Sequence, residues 1–91
     1  MIKSFRHKGL QEQFENGETR RIDIRWQPKC LKILDMLNWA TCPEDLEKSF
    51  GFHSLKGERS GSNAMSVTAN WRITFRFDGQ DVIDIDLEDY H

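Results

Sequence analysis

A chain of 91 residues is long enough for one hydrophobic core and too short for two. Its 37% hydrophobic and 31% charged residues exclude a disordered chain, and no apolar run approaches the ~20 residues of a membrane span. The net charge of −2 hides an uneven distribution: residues 1–76 carry all thirteen Lys and Arg against nine acids (+4), while residues 77–91 carry six acids and no Lys or Arg (−6).

A mildly basic body permits nucleic-acid contact without demanding it. The opening MIKSFRHKGL lacks the apolar stretch of a signal peptide, so a cytoplasmic protein is expected, with residues 1–91 forming a single domain. Cys30 and Cys42 form no CxxC and have no histidine pair nearby. They read as reduced, partly buried thiols ahead of a disulfide or a zinc site.

In chain order, MIKSF reads as a short strand with Ile2 and Phe5 apolar among polar neighbours. KGLQEQFENG has helical spacing, with Leu10 and Phe14 four apart and Gly17 placed as the C-terminal cap. ETRRIDIRW alternates like a strand but lies between two helices, which favours an extended loop. QPKCLKILDMLNWA is the clearest helix: Pro28 suits its first turn, and Cys30, Ile33 or Leu34, Leu37 and Ala40 form one apolar stripe. TCPEDLEKSF restarts a short helix, with Pro43 in its first turn and Glu44 and Asp45 near its N-terminus.

After Phe52 the period becomes two. Met65 and Val67 alternate, then Trp71, Ile73, Phe75 and Phe77, then Ile83, Ile85 and Leu87, with turns at Asn70 and Asp78-Gly79. One strand, two or three helices and an antiparallel meander make an α+β domain with helices on one sheet face. If both rows of the last hairpin share that face, odd positions pair with odd ones, and the loop around Gly79 has three or five residues. The five-residue register sets Arg72 opposite Glu88 and Arg76 opposite Asp84, and the three-residue register sets Arg72 opposite Asp86. Much of the acidic tail is then the polar face of a strand.

Among titratable residues, His7 at a helix entry reads as a solvated side chain. His53 opens HSLKGERSGS, a Gly/Ser-rich stretch in which a loop can present a side chain to a ligand. Lys56 and Arg59 in that loop suit either phosphate contact or solvent, and Arg72 suits a strand ion pair ahead of a ligand clamp. No Walker or Rossmann glycine pattern is present, and His53, Asp89 and His91 match no standard metal spacing. Acid–base chemistry remains, for which two imidazoles and a tyrosine are suited near neutral pH.

At HSLKGERSGS, NWRITFRF and the terminal DLEDYH, and again at MIKSFRHKGLQEQFENG, the chain resembles the HigB toxins of the RelE superfamily, nearly end to end. The resemblance implies a small antiparallel sheet with helices on one face. It implies a ribosome-dependent mRNA endonuclease of the bacterial cytoplasm that needs no cofactor. Its partners would be mRNA in the ribosomal A site, the small subunit and a HigA-like helix-turn-helix antitoxin, with operator DNA reached only through that antitoxin. The family's catalytic positions fall on His53, Asp89, Tyr90 and His91. Lys56 is the candidate to steady the phosphate, and Arg59 and Arg72 are the other candidate RNA-binding cations.

The family is usually basic and often has an aromatic after the loop glycine and an arginine in the next strand. Here the pI is about 5.9, and those positions read Ser62-Asn63 and Ser66 or Thr68. The alternative reading is therefore a weakly active or inactive antitoxin-binding module that tunes repression of its operon.

Overall fold

The structure is a computed structural model, and it describes residues 1–89. Tyr90 and His91 lie outside the described residues. Helices α1 (Lys8–Asn16) and α2 (Gln27–Trp39) come first, followed by a 3-10 turn at Pro43–Leu46. Strands β1 (His53–Ser54), β2 (Ser62–Ser66), β3 (Trp71–Asp78) and β4 (Asp81–Asp89) complete the chain, with a second 3-10 turn at Gly57–Arg59. The strands form one antiparallel sheet in the order β1-β2-β3-β4, which makes the α+β architecture read from the sequence.

Helix α1 begins where His7 caps it, with the imidazole Nδ1 accepting from the Leu10 amide at 3.1 Å. It ends at Gly17, whose φ of 73° is the left-handed conformation that glycine adopts without steric cost. His7 is thus a half-buried cap and not the solvated side chain expected. Substituting it with alanine leaves the Leu10 amide without its acceptor. The cost expected is about 0.5–2 kcal/mol, read as a lower urea midpoint at unchanged m-value.

Helix α2 has Pro28 in its first turn, and it buries Cys30, Ile33, Leu34 and Leu37 completely. Burial pushes the Cys30 thiol up to about 11, so it packs as an unreactive apolar group. The segment between the helices is a loop of tight turns, not an extended one. The Ile22 amide donates to Thr19 O and the Trp26 amide to Asp23 O, which buries Ile22 and leaves Ile24 exposed. The restarted helix after Thr41 is one 3-10 turn, with Glu44 and Asp45 in it as expected.

The helix stripes meet the odd residues of the meander, so Leu10, Ile33, Leu34, Leu37, Met65, Ile73 and Phe75 share one core. In the last hairpin the turn is shorter than expected: Asp78 pairs with Asp81 across Gly79 and Gln80. A two-residue loop pairs odd with even, as in Phe77 with Val82 and Arg76 with Ile83. A bulge then inserts one residue into β4 at Asp84, where φ is 56°, and beyond it Ile73 pairs with Leu87 and Arg72 with Glu88. The expected parity is therefore reached by a bulge and not by the loop. On the turn side of the bulge Val82 replaces Ile83 in the core.

The same bulge limits the N-terminal segment. Ile2 and Phe5 bridge in parallel to Val82 and Ile85, but between them Ser4 Oγ accepts from the Asp84 amide at 2.9 Å. A side chain stands in for a ladder bond, so this edge forms two isolated bridges instead of the strand expected.

Candidate functional site

Strand alternation gives the sheet a second face, and no helix among the described residues covers it. One row across it runs His53, Ala64, Thr74 and Asp86, and the next runs Ser66, Arg72 and Glu88. A third pairs Ser62 with Arg76. A cleft of about 480 Å³ opens here, lined by Arg6, Arg59, Ser62, Thr74, Arg76 and Glu88 among others. Gly61, at φ 94°, admits the Arg76 guanidinium so closely that a Cβ would stand 3.3 Å from it.

His53 sits on the edge strand β1, half-buried, with Nδ1 3.0 Å from the carbonyl oxygen of Gly51. A carbonyl only accepts, so Nδ1 carries the hydrogen and the neutral ring holds its lone pair at Nε2. That tautomer can take a proton at Nε2 or, once charged, return it. The carbonyl also restrains the ring plane.

The strongest electrostatic contact on this face joins the second 3-10 turn to β4. Arg59 Nη1 and Nη2 donate to Glu88 Oε1 and Oε2 at 2.8 and 2.7 Å, a two-pronged pair between groups 29 residues apart in the chain. Thr74 Oγ1 donates to the same carboxylate. The Arg59 hydrogen bonds hold Glu88 down at about 2 against the opposing effect of burial, with Thr74 and the charges of Arg59 and Arg72 adding to them. Arg59 is raised in return, chiefly by its hydrogen bonds to Glu88.

The sign for stability follows. A carboxyl depressed in the folded state stabilises the fold above its ordinary value of 4.5, and that contribution fades as pH falls from there towards about 2. Wild type is therefore expected to melt above Glu88→Gln at pH 6, with the gap closing between pH ~4.5 and ~2. A gap that stays constant in thermal melts across that range would contradict the charged pair.

The remaining expected site residues are spread out. Lys56 stands exposed immediately before the 3-10 turn, and Arg72 lies in the middle of the face in register with Glu88. Asp89 closes β4 opposite Trp71, three strand spacings away from β1. At about 4.8 Å per strand that is roughly 14 Å of sheet width, so His53 and Asp89 are not neighbours in the sheet. Tyr90 and His91 lie outside the described residues.

Thr74 went unmarked in the sequence, and so did the pairing of Arg59 with Glu88, although Arg59 was named there as a candidate RNA-binding cation. Thr74 reads there only as a strand former. Glu88 opposite Arg72 was one of the two expected registers and is the pairing observed, but nothing local in the chain signals a second arginine arriving from a turn.

The chain matches the family described as RelE-like toxin of type II toxin-antitoxin system HigB over residues 3–91. The curated Endoribonuclease HigB of Proteus vulgaris is 40% identical over 92 residues, an alignment that covers the whole of both chains.

Proposed function

This chain belongs to the RelE-like HigB toxins of type II toxin–antitoxin systems, and on that premise we propose that it is an endoribonuclease that cuts mRNA in the ribosomal A site. A HigA-like helix-turn-helix antitoxin silences it. The reaction is transesterification within the RNA. The 2′-oxygen loses its proton to a base and bonds to the adjacent phosphorus, while the P–O5′ bond breaks and the departing oxygen takes a proton from an acid. The products are a 2′,3′-cyclic phosphate and a 5′-hydroxyl, and the atoms balance without a cofactor.

In this reading His53 and His91 exchange the two protons. Asp89 orients an imidazole and favours its charged form, and Tyr90 holds the nucleotide by stacking or hydrogen bonding. Lys56, Arg59 and Arg72 offset the charge that builds on the phosphorane. The observation that carries the proposal is His53. Its tautomer is set by the Gly51 carbonyl, on a sheet face whose cleft is lined by Arg6, Arg59 and Arg76 together with Glu58, Asp84, Asp86 and Glu88.

A second reading, a feeble enzyme kept as the antitoxin's partner, is favoured by the acids on the same face and by the engagement of Arg59 with Glu88. Inducing the chain alone and then together with its antitoxin separates the two. Growth arrest that the antitoxin relieves is expected. A stable toxin–antitoxin complex with no arrest when the toxin is induced alone favours the second reading.

A further inference from the structure

Glu88 rests among donors arranged for an oxyanion. Arg59 presents both Nη atoms as a fork and Thr74 adds a hydroxyl, while Arg72 faces Glu88 across the strand pair. These donors differ in mobility. Thr74 is only 2% exposed and fixed in the middle of the sheet. The Arg59 side chain is 46% exposed and comes from a three-residue turn, so it can shift while Thr74 stays.

A guanidinium binds a carboxylate and a phosphate with the same two-pronged geometry. We propose that these groups form a phosphodiester subsite, which Glu88 fills in the free protein and an RNA backbone phosphate fills in the complex. Arg59 and the Thr74 hydroxyl pass from the carboxylate to the phosphate. Glu88, on the cleft wall, turns to water. It is a positioning residue that acts through Arg59: it holds the guanidinium over the sheet and makes incoming anions compete for it. This inference rests on the endoribonuclease reading and deepens it, by adding Thr74 and the competing Glu88 to the role already given to Arg59.

The alternative is a permanent structural ion pair, and the salt dependence of RNA binding separates the two. Each phosphate contacted on a single strand steepens the plot of log K against log salt by about 0.7. Binding of a short non-cleavable 2′-O-methyl RNA is measured between about 50 and 200 mM salt for wild type, Arg59→Gln and Glu88→Gln. Arg59→Gln is expected to flatten the slope by about 0.7. Glu88→Gln retains an acceptor for Thr74 but removes the competing charge, so it is expected to bind roughly three- to fivefold more tightly.

An unchanged slope in Arg59→Gln, or unchanged or weaker binding in Glu88→Gln, overturns the subsite. If Arg59→Gln fails to fold, Glu88→Gln alone decides, because its amide oxygen still serves both donors. Wild type that shows no salt-dependent binding removes the RNA reading and the subsite together. Wild-type binding with an unaltered slope in Arg59→Gln removes the subsite, and with it the contact of Arg59 with RNA, while the proton transfers assigned to His53 and His91 stand.

Discussion

Replacing His53 with alanine is expected to lower mRNA cleavage by roughly 10²–10⁴-fold, the usual loss for an essential proton-transfer group. The fold should survive. The ring lies on the two-residue edge strand, outside the buried core, and its Nδ1 contact is to the exposed backbone carbonyl of Gly51. The catalytic loss therefore separates from stability: thermal melts stay close to wild type while cleavage collapses. The pH profile adds a readout that a structural role does not move, since removing one of two titrating groups abolishes one limb of the bell. If His53→Ala and His91→Ala both leave growth inhibition untouched, the site assignment is wrong.

Phe75→Ala is expected to be the most damaging change to the fold. Phe75 is 1% exposed, lies in the core under the same strand that carries Thr74, and packs edge-on against Phe77 at 5.9 Å and tilted against Phe52 at 6.2 Å. Removing a buried aromatic costs about 3–5 kcal/mol, against the roughly 5–15 kcal/mol that holds a typical small domain together. Denaturant titration is expected to show a large drop in midpoint, and toxicity would fall with the folded population. A variant within about 1 kcal/mol of wild type would place Phe75 outside the core.

Three of the six acids in the tail, which set this chain apart from a basic RNA ligand, meet cations within the fold. Asp81 lies 3.5 Å from the N-terminal ammonium, Asp84 lies 3.8 Å from Arg6, and Glu88 takes Arg59. Each partner comes from the basic first part of the chain, so folding folds the −6 segment against the +4 segment. Arg76 was the partner of Asp84 in the five-residue register, and the bulge withdrew it by pairing Arg76 with Ile83 instead.

What could be read in advance follows from the range of the interactions. The stripe of α2 and the cap at Gly17 are local patterns with fixed periods, and the structure follows them closely. The hairpin parity was legible because a buried row must face one way. How it is achieved was not. A bulge at an aspartate with positive φ is stabilised by Ser4, 80 residues away, and no local rule points to it. His7 was misread for a related reason, since an imidazole is an uncommon cap and its burial depends on packing beyond its own turn. The proposed catalytic positions entered through a family resemblance. His53 gained a defined tautomer from the structure, and the contact between Arg59 and Glu88 emerged only there.

Cleavage of a defined mRNA by the purified chain in a reconstituted translation reaction tests the central claim most directly, with the fragment ends identified chemically. The account predicts a cut that requires translating ribosomes, a 2′,3′-cyclic phosphate on the upstream fragment and a 5′-hydroxyl on the downstream one. Intact message in the presence of translating ribosomes, or downstream fragments that begin with a 5′-phosphate, would contradict it.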